Sequence, residues 1–252
     1  MKLRRVLQSF TVLTVSIFIA ACGGGGGNNG TSSLGALVAS LAQLNGTFAF
    51  SVTGTDPSDG DYFIAGTFTA DGKGNITNGL EDLNLGSGVD SSVQFTGTYQ
   101  VANSLVTVIV NDGTGTPTFF SFPVPASGSV AITTYDGTGK GTLQAQSASG
   151  FSNVGNFAFN LQGEGAGTVT ASGSFTVGSA NAVTNGTESY QDGNFYSRST
   201  SSLGGVLSPA FGGRGTAVIG SNVFSYYVVS QNQIILAGLE DSTLIYGTAT
   251  KQ

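Results

Sequence analysis

The 252-residue chain carries two copies of one sequence pattern, and this duplication limits what it can fold into. Five pairs of segments match in the same order along the chain, with the partners 104 to 109 residues apart. Small insertions are therefore enough to align the copies, and we predict two similar units of about 105 residues each. The pairs are Gly46–Phe50 with Gly155–Phe159, Gly66–Thr69 with Gly173–Thr176, Ile76–Glu81 with Val183–Glu188, Phe120–Val124 with Phe224–Val228, and Gly141–Thr142 with Gly247–Thr248.

Within each copy, apolar residues recur at every second position. Phe48, Phe50 and Val52 alternate with small or polar residues, which is typical of a strand with one buried face. The runs of copy one predict about eight strands, and copy two gives a similar series between Gly155 and Thr250. The predicted strands of copy one lie near 46–55, 62–70, 75–84, 92–102, 105–111, 117–125, 129–135 and 140–146.

Turn signals separate these runs and indicate an antiparallel meander. Asp-Gly pairs, which favour tight turns, occur at 59–60, 71–72, 112–113, 136–137 and 192–193. A meander of eight strands closes readily into a small barrel without exposed edges. The predicted fold class is therefore all-β, with two tandem antiparallel meander modules of about eight strands each, as small barrels that are lipocalin-like only by analogy. Two sandwiches, or one larger closed sheet shared by both copies, are the alternatives.

The N-terminal residues have the layout of a secretory signal peptide. Three basic residues precede an apolar run from Val6 to Ala20, which is short for a membrane-spanning helix. The run ends in Ile19-Ala20-Ala21-Cys22, which resembles the bacterial lipobox, and Cys22 is the only cysteine. This resemblance implies cleavage before Cys22 and a lipid anchor on its thiol. Gly23 follows Cys22, and by resemblance to lipoprotein sorting it favours the outer membrane over the inner one.

The segment after Cys22 predicts a tether. Gly23–Ser33 is rich in Gly, Asn and Ser and would behave as a flexible coil. Leu34, Leu37, Leu41 and Leu44 then follow at helical spacing, which predicts a short helix or a hydrophobic lead-in to the first module. The predicted organisation is a signal peptide at 1–21, a lipidated Cys, tether and short helix at 22–43, and barrel modules at 44–147 and 153–252.

Composition excludes several function classes. The chain has no His and a single Cys, so it lacks the residues of Ser-His-Asp, Cys-His and Cys-cluster metal sites. Removal of the signal leaves five basic and fourteen acidic residues, a net charge of −9, which disfavours nucleic-acid binding. These absences predict that the chain is not an enzyme and that it holds no cofactor and no metal.

Carboxylates are the remaining candidates for chemistry. A glycosidase needs two of them, and calcium binds oxygen ligands, for which the loop Asp56–Asp61 offers three carboxylates in six residues. An acidic, solvated loop explains the same residues. Glu81 and Glu188 recur in both copies after Asn-Gly, and we predict that they are exposed or bonded to a neighbouring strand, without a catalytic role. The candidate acids for a glycosidase-like pair are Glu81, Asp82, Glu164, Glu188, Asp192, Glu240 and Asp241.

The whole pattern resembles a group of Gly- and Thr-rich secreted bacterial lipoproteins. Their module opens with Leu-Asn-Gly-Thr-Phe-Ala-Phe, here Leu44–Phe50, and often occurs in tandem. The resemblance implies localisation and repeat architecture, and no activity. The predicted function is a lipid-anchored cell-envelope protein with a structural, adhesive or surface-interaction role, held to the membrane through Cys22, with an envelope protein or a polysaccharide as possible partner. The alternative is a carrier of a small apolar ligand inside one barrel; the oligomeric state is left open.

Overall fold

The protein forms two tandem barrels. The computed structural model describes residues 40–57, 60–85, 88–113, 118–126, 128–134, 138–148, 151–240 and 243–252. The predicted signal peptide, Cys22 and the tether lie outside these residues. The first barrel comprises β1 (Asn45–Asp56), β2 (Gly60–Asp71), β3 (Asn75–Asn84), β4 (Val89–Ala102), β5 (Leu105–Asn111), β6 (Thr118–Pro123), β7 (Ser129–Thr134) and β8 (Gly139–Ala145). The second comprises β9 (Gly155–Glu164), β10 (Thr168–Val177), β11 (Ala182–Asp192), β12 (Tyr196–Leu207), β13 (Arg214–Ile219), β14 (Asn222–Ser230), β15 (Gln233–Gly238) and β16 (Leu244–Lys251).

Each barrel is a closed meander, which confirms the predicted fold class. Every strand pairs antiparallel with the next, and the ladder closes where β1 pairs with β8 and where β9 pairs with β16. The alternatives of two sandwiches or one shared sheet are therefore wrong. Gly60, Gly72, Gly113 and Gly193, from four of the five predicted Asp-Gly turns, have a positive φ, as these turns require.

The two cores repeat one another in detail, as expected of a duplication. In the first barrel, Phe68 lies 5.5 Å from Phe48 and 6.0 Å from Phe50 between ring centroids. In the second barrel, Phe175 lies 5.4 Å from Phe157 and 6.0 Å from Phe159. The alternating Phe residues of the sequence thus form the same aromatic group inside each barrel.

A lead-in segment covers one end of the first barrel. Leu44 is fully buried and Leu41 packs against the core. The Tyr99 hydroxyl donates its hydrogen between the carbonyl oxygens of Leu41 and Leu44, which lie 3.0 and 2.7 Å away. Ser40 and Leu41 are helical, whereas the rest of the predicted leucine stripe before Ser40 lies outside the described residues. No helix among the described residues has the length and apolar character needed to cross a membrane.

The barrels pack against each other through a third apolar cluster. Phe63 of β2 stacks on Tyr246 of β16 with ring centroids 4.3 Å apart and planes 9° from parallel. The buried members of the cluster are Ala49, Phe63 and Ala65 from the first barrel, and Tyr227, Val229, Ile235, Ala237 and Leu244 from the second. The connecting segment is fixed to the second barrel, because Ser147 N donates to the Val229 carbonyl at 2.7 Å.

Candidate functional site

The interior of the first barrel is filled by side chains. Among the described residues it leaves a cavity of about 10 Å³, lined by aromatic and aliphatic groups that include Phe50, Phe95 and Phe120. That volume holds about one water molecule, whereas small-molecule sites measure roughly 300–1,000 Å³. A closed eight-stranded barrel is a fold compatible with the predicted ligand carrier. In the first barrel, however, core side chains fill the space that such a ligand would need.

The recurring glutamates lie inside separate barrels and do not form a pair. Glu81 and Glu188 are 5% and 4% exposed, so the part of the prediction that allowed exposure is wrong. Glu188 is bonded to Arg198 on the neighbouring strand β12, as the other part of the prediction allowed. Two carboxylates in two different barrels cannot flank one scissile bond, which removes this pair as a glycosidase site.

The Asn-Gly step before each glutamate forms a β-bulge, in which the two residues have different roles. Asn78 and Asn185 have φ near 50°, so Asn rather than Gly adopts the left-handed conformation. Gly79 and Gly186 are required for space. A Cβ on Gly79 would lie 2.4 Å from the Phe95 ring, and one on Gly186 would lie 2.4 Å from Leu203 Cβ.

A buried polar network joins the two barrels. Asp82 of β3 accepts two hydrogen bonds from the Arg214 guanidinium, at 2.8 and 2.7 Å, and one from the Tyr227 hydroxyl. Burial alone would raise the pKa of the Asp82 carboxyl, but the bonds from Arg214, Tyr227 and Ser92 N outweigh it and lower that pKa. Burial, followed by the charge of Asp82, raises the pKa of Tyr227 well above its ordinary value. Perturbed groups of this kind mark functional or structural sites, and here Asp82 and Tyr227 are sealed between the barrels.

At the end of the second barrel that carries the β11–β12 turn, β12 extends beyond β13, whereas β11 is paired with β10 up to Asp192. β12 pairs with β13 only through Gly205, Val206 and Leu207. Residues 196–203 of β12 therefore have a ladder partner on the β11 side alone, within the part of the chain that the structure describes. The register of the two strands places Glu188 and Tyr190 of β11 and Tyr196 and Arg198 of β12 on one face of this hairpin, the inner face of the barrel near its end.

Four side chains meet on that inner face, and we call Glu188, Tyr190, Tyr196 and Arg198 the barrel-mouth cluster. Arg198 Nε donates to Glu188 Oε2 at 3.1 Å, and Nη2 donates to the same oxygen. The guanidinium carbon lies 5.3 Å from the Tyr190 ring centroid, and the Tyr190 and Tyr196 centroids are 6.1 Å apart. The Glu188 bond raises the pKa of Arg198, and burial raises the pKa of Tyr190. The Arg198 side chain remains 35% exposed and Tyr196 is 52% exposed, so a ligand can reach both.

The β11–β12 turn beside the cluster is held by hydrogen bonds to the neighbouring β9–β10 turn. The Asp192 carboxylate accepts hydrogen bonds from Gly167 N at 2.7 Å and Ala166 N at 3.3 Å, and Gly193 N donates to the Thr168 carbonyl. Phe195, at the tip of the same hairpin, is 76% exposed. The hairpin therefore holds an exposed aromatic side chain beside the barrel-mouth cluster on a backbone fixed by several hydrogen bonds.

Among the described residues, the first barrel has no equivalent of this cluster. The offset of 107 residues that relates Glu81 to Glu188 places Leu83 at the position of Tyr190. Leu83 packs against the core of the first barrel, and it pairs with Asp90 where Tyr190 pairs with Arg198. Within the part of the chain that the structure describes, both barrels therefore hold the glutamate, and the aromatic and cationic partners lie in the second.

The remaining predicted acids are scattered. Glu164 ends β9, Glu240 Oε1 accepts a hydrogen bond from Val223 N at 3.3 Å, and Asp241 lies outside the described residues. In the loop Asp56–Asp61, Asp61 accepts a hydrogen bond from Thr55 Oγ1 at 2.6 Å, and Asp59 lies outside the described residues. Within the described parts of the chain, no three His, Cys, Asp or Glu side chains lie together as metal ligands would.

Sequence reasoning named Glu188 but missed its partners. Tyr190, Tyr196 and Arg198 carry no recognisable motif, and their positions across the hairpin follow from a strand register that a single sequence does not reveal. A signal was nevertheless present, because Arg198 is one of only five basic residues after Cys22 and lies in a strand pattern rather than in a turn.

No family model and no curated protein matches this chain. Among solved structures, it is similar to kievitone hydratase from Nectria haematococca, with 10% identity, a TM-score of 0.27, and coverage of 83% of this chain and 90% of that one. It is also similar to a putative AttH from Nitrosomonas europaea, with 8% identity, a TM-score of 0.29, and coverage of 82% and 92%.

The first of these likenesses corrects one prediction. We predicted from composition that the chain is not an enzyme, and a chain matched over 90% of its length is named as a hydratase. Our prediction that the chain is not an enzyme, which rested on its composition, is therefore wrong. At this TM-score the likeness assigns no reaction, substrate or site to the residues described above.

Proposed function

We propose that this chain is a lipid-anchored protein of the bacterial cell envelope that holds a two-barrel body near the membrane and binds an envelope component through the mouth of the second barrel. Cys22 carries the anchor, and Gly23 favours the outer membrane. The observation that supports binding is the barrel-mouth cluster, an exposed aromatic and cationic group that, among the described residues, occurs in the second barrel and not in the first.

The anchor is supported by the N-terminal sequence. A basic start, an apolar run and Ile19-Ala20-Ala21-Cys22 are the features on which lipid attachment depends. A single acyl chain gives only reversible membrane binding, so stable anchoring needs two or more chains. The Gly-rich segment Gly23–Ser33 would then give the barrels a reach of roughly 20 Å from the bilayer.

The filled interior of the first barrel leaves no room for a ligand, so a binding surface has to lie elsewhere on the protein. The first barrel leaves a cavity of about 10 Å³, and the network around Asp82 is sealed by both barrels. The mouth of the second barrel combines exposure, aromatic area and hydrogen-bond donors on one braced hairpin. Exposed aromatic and arginine side chains are the residue types that dominate binding energy at protein surfaces.

Two measurements test the proposal. Cys22→Ser should leave unprocessed precursor or release the protein from membranes, which detergent partition of the variant and the wild type measures. The full-length wild type in detergent should also sediment with washed, insoluble envelope material, and Tyr196→Ser should weaken this by about tenfold. Phe211→Ser, an exposed aromatic at the other end of the barrel, is the matched control. A Cys22→Ser variant that is processed and held in the membrane like the wild type would refute the anchor, and equal sedimentation of all variants would refute binding at the mouth.

A further inference from the structure

We propose that the barrel-mouth cluster binds a neutral sugar ring of a polysaccharide. This inference rests on the proposed function and names the class of ligand for the same site. It is carried by the arrangement of Tyr190, Tyr196 and Arg198 on the inner face of the β11–β12 hairpin, with Phe195 exposed at its tip.

The aromatic geometry suits a flat ligand with an apolar face and a polar rim. The Tyr190 and Tyr196 rings are tilted by 59° at a centroid distance of 6.1 Å, so they form an angled surface rather than a closed stack. A sugar ring presents axial C–H groups on its face and hydroxyls at its edge. Tyrosine offers both a π face and a phenol that donates and accepts hydrogen bonds.

The charge balance of the cluster favours a neutral ligand. Arg198 is paired with Glu188, whose side chain is 2% exposed, so the buried carboxylate neutralises the guanidinium. The Asp192 carboxylate lies at the same hairpin, and the chain after Cys22 has a net charge of −9. An acidic polysaccharide would meet repulsion from this field, whereas neutral hydroxyls would not.

The site is also preformed. Arg198 donates from Nε and Nη2 to one oxygen of Glu188 and lies over the Tyr190 ring, which fixes its side chain. Its remaining N–H groups are free of Glu188 in this arrangement and can donate to sugar hydroxyls. A side chain that is already ordered loses less conformational entropy when a ligand binds.

An extended peptide added to the free edge of β12 is the competing occupant of this hairpin. Two features of the edge disfavour it. Arg198 is a charged side chain on the inner face, a recognised device against edge pairing, and Ser202 N already donates to Thr200 Oγ1 at 3.3 Å. The peptide is therefore an outcome of the test rather than the proposal.

Affinity electrophoresis of the full-length protein in detergent tests the ligand class. The gels contain a neutral glucan, a neutral mannan or galactan, or polygalacturonate as the acidic probe. We expect at least one neutral glycan to retard the wild type. Tyr196→Ser and Arg198→Gln should each reduce that retardation by about tenfold, while Phe211→Ser behaves as the wild type.

Each result separates the ligand class from the proposed function. Retardation by polygalacturonate alone would overturn the neutral-sugar proposal. The same proposal fails if no glycan retards the protein, or if Phe211→Ser loses retardation as much as Tyr196→Ser. If no glycan retards the protein but its sedimentation with envelope material still depends on Tyr196, the proposed function stays in place and the partner at the mouth is a protein.

Discussion

Asp82 of the first barrel and Arg214 of the second form a two-point ion pair, with Arg214 Nε and Nη2 each 2.7–2.8 Å from a different carboxylate oxygen. The Asp82 side chain is 1% exposed and the Arg214 side chain is 13% exposed. Tyr227 of the second barrel donates to the same carboxylate, and so does Ser92 N of the first. The pair therefore determines how one barrel sits on the other, because few other orientations would satisfy both charges.

Removing one partner of this pair should destabilise the protein strongly. We expect Asp82→Asn to lower the free energy of unfolding by about 3–5 kcal/mol, since it leaves a mostly buried guanidinium without its counter-charge. Arg214→Met should have a similar effect. The double variant Asp82→Asn/Arg214→Met should lose much less than the sum of the two single variants, as a double-mutant cycle in denaturant would measure. Additive losses would show that the two residues are not coupled.

The same pair predicts a dependence of stability on acid. The folded state lowers the pKa of Asp82 below its ordinary value of 3.8, through Arg214, Tyr227 and Ser92 N against the opposing effect of burial. Because the pKa of Asp82 is lower in the folded state, its ionised form stabilises the folded protein fully at pH values above the pKa of the unfolded state. This stabilisation is lost as the pH falls from the unfolded pKa to below the folded pKa. The stability difference between wild type and Asp82→Asn should thus be constant from pH 7 to pH 5 and shrink below about pH 4. Denaturant titrations at each pH measure it, and a difference that persists unchanged at pH 2 would contradict the assignment.

The two barrels are duplicated in sequence, but the residues with which the first barrel contacts the second are replaced by other residue types at the matching positions of the second barrel. The offset of 107 residues places Thr170, Ser172 and Ser189 of the second barrel where Phe63, Ala65 and Asp82 stand in the first. All three replacements are exposed and polar. The second barrel therefore lacks, at these three positions, the residues with which the first barrel makes this contact.

The fold was predictable from sequence because its signals are local and repeated. Alternation with period two, Asp-Gly turns and the matched segments gave the strands, their order and the two barrels. The interface was not predicted, although β2 contains the unbroken apolar run Phe63-Ile64-Ala65 and β15 contains Ile234–Ala237. A run without alternation indicates a strand buried on both faces. The barrel-mouth cluster depends on a cross-strand register that places Tyr190 opposite Arg198, and no local signal in one sequence fixes such a pair.

The contribution of the apolar interface can be separated from that of the ion pair. Phe63 is 2% exposed and stacks on Tyr246 across the interface. We expect Phe63→Ala to cost about 3–5 kcal/mol and to split unfolding into two transitions, because each barrel keeps its own core. Calorimetry with limited proteolysis of residues 146–154 measures both effects.

Phe195→Ala is the control for Phe63→Ala, since Phe195 is 76% exposed and should change stability by less than about 0.5 kcal/mol. A single transition of unchanged midpoint for Phe63→Ala would show that the stacked pair does not hold the barrels together.

The bulges before Glu81 and Glu188 give a prediction that compares the two barrels directly. The step Asn78-Gly79 bulges opposite Phe68, and Asn185-Gly186 bulges opposite Phe175, at matched points of β3 and β11. Gly79→Val and Gly186→Val should each destabilise by about 1–3 kcal/mol or more, because the new side chain would overlap Phe95 or Leu203 in the core. Thermal melting of both variants measures the loss.

Substitutions at the neighbouring residues show whether space is the reason. Glu81→Gln and Glu188→Gln keep the size of the side chain and one acceptor oxygen, and Arg198, unlike Arg214, is exposed enough to be solvated without its counter-charge, so both variants should cost less than the valine variants. Asn78→Gly should be nearly neutral, whereas Asn78→Val should cost about 1–2 kcal/mol, because φ near 50° is strained for a β-branched residue. If the glutamine variants lost as much stability as Gly79→Val and Gly186→Val, the carboxylates rather than the close packing would explain why the motif recurs in both copies.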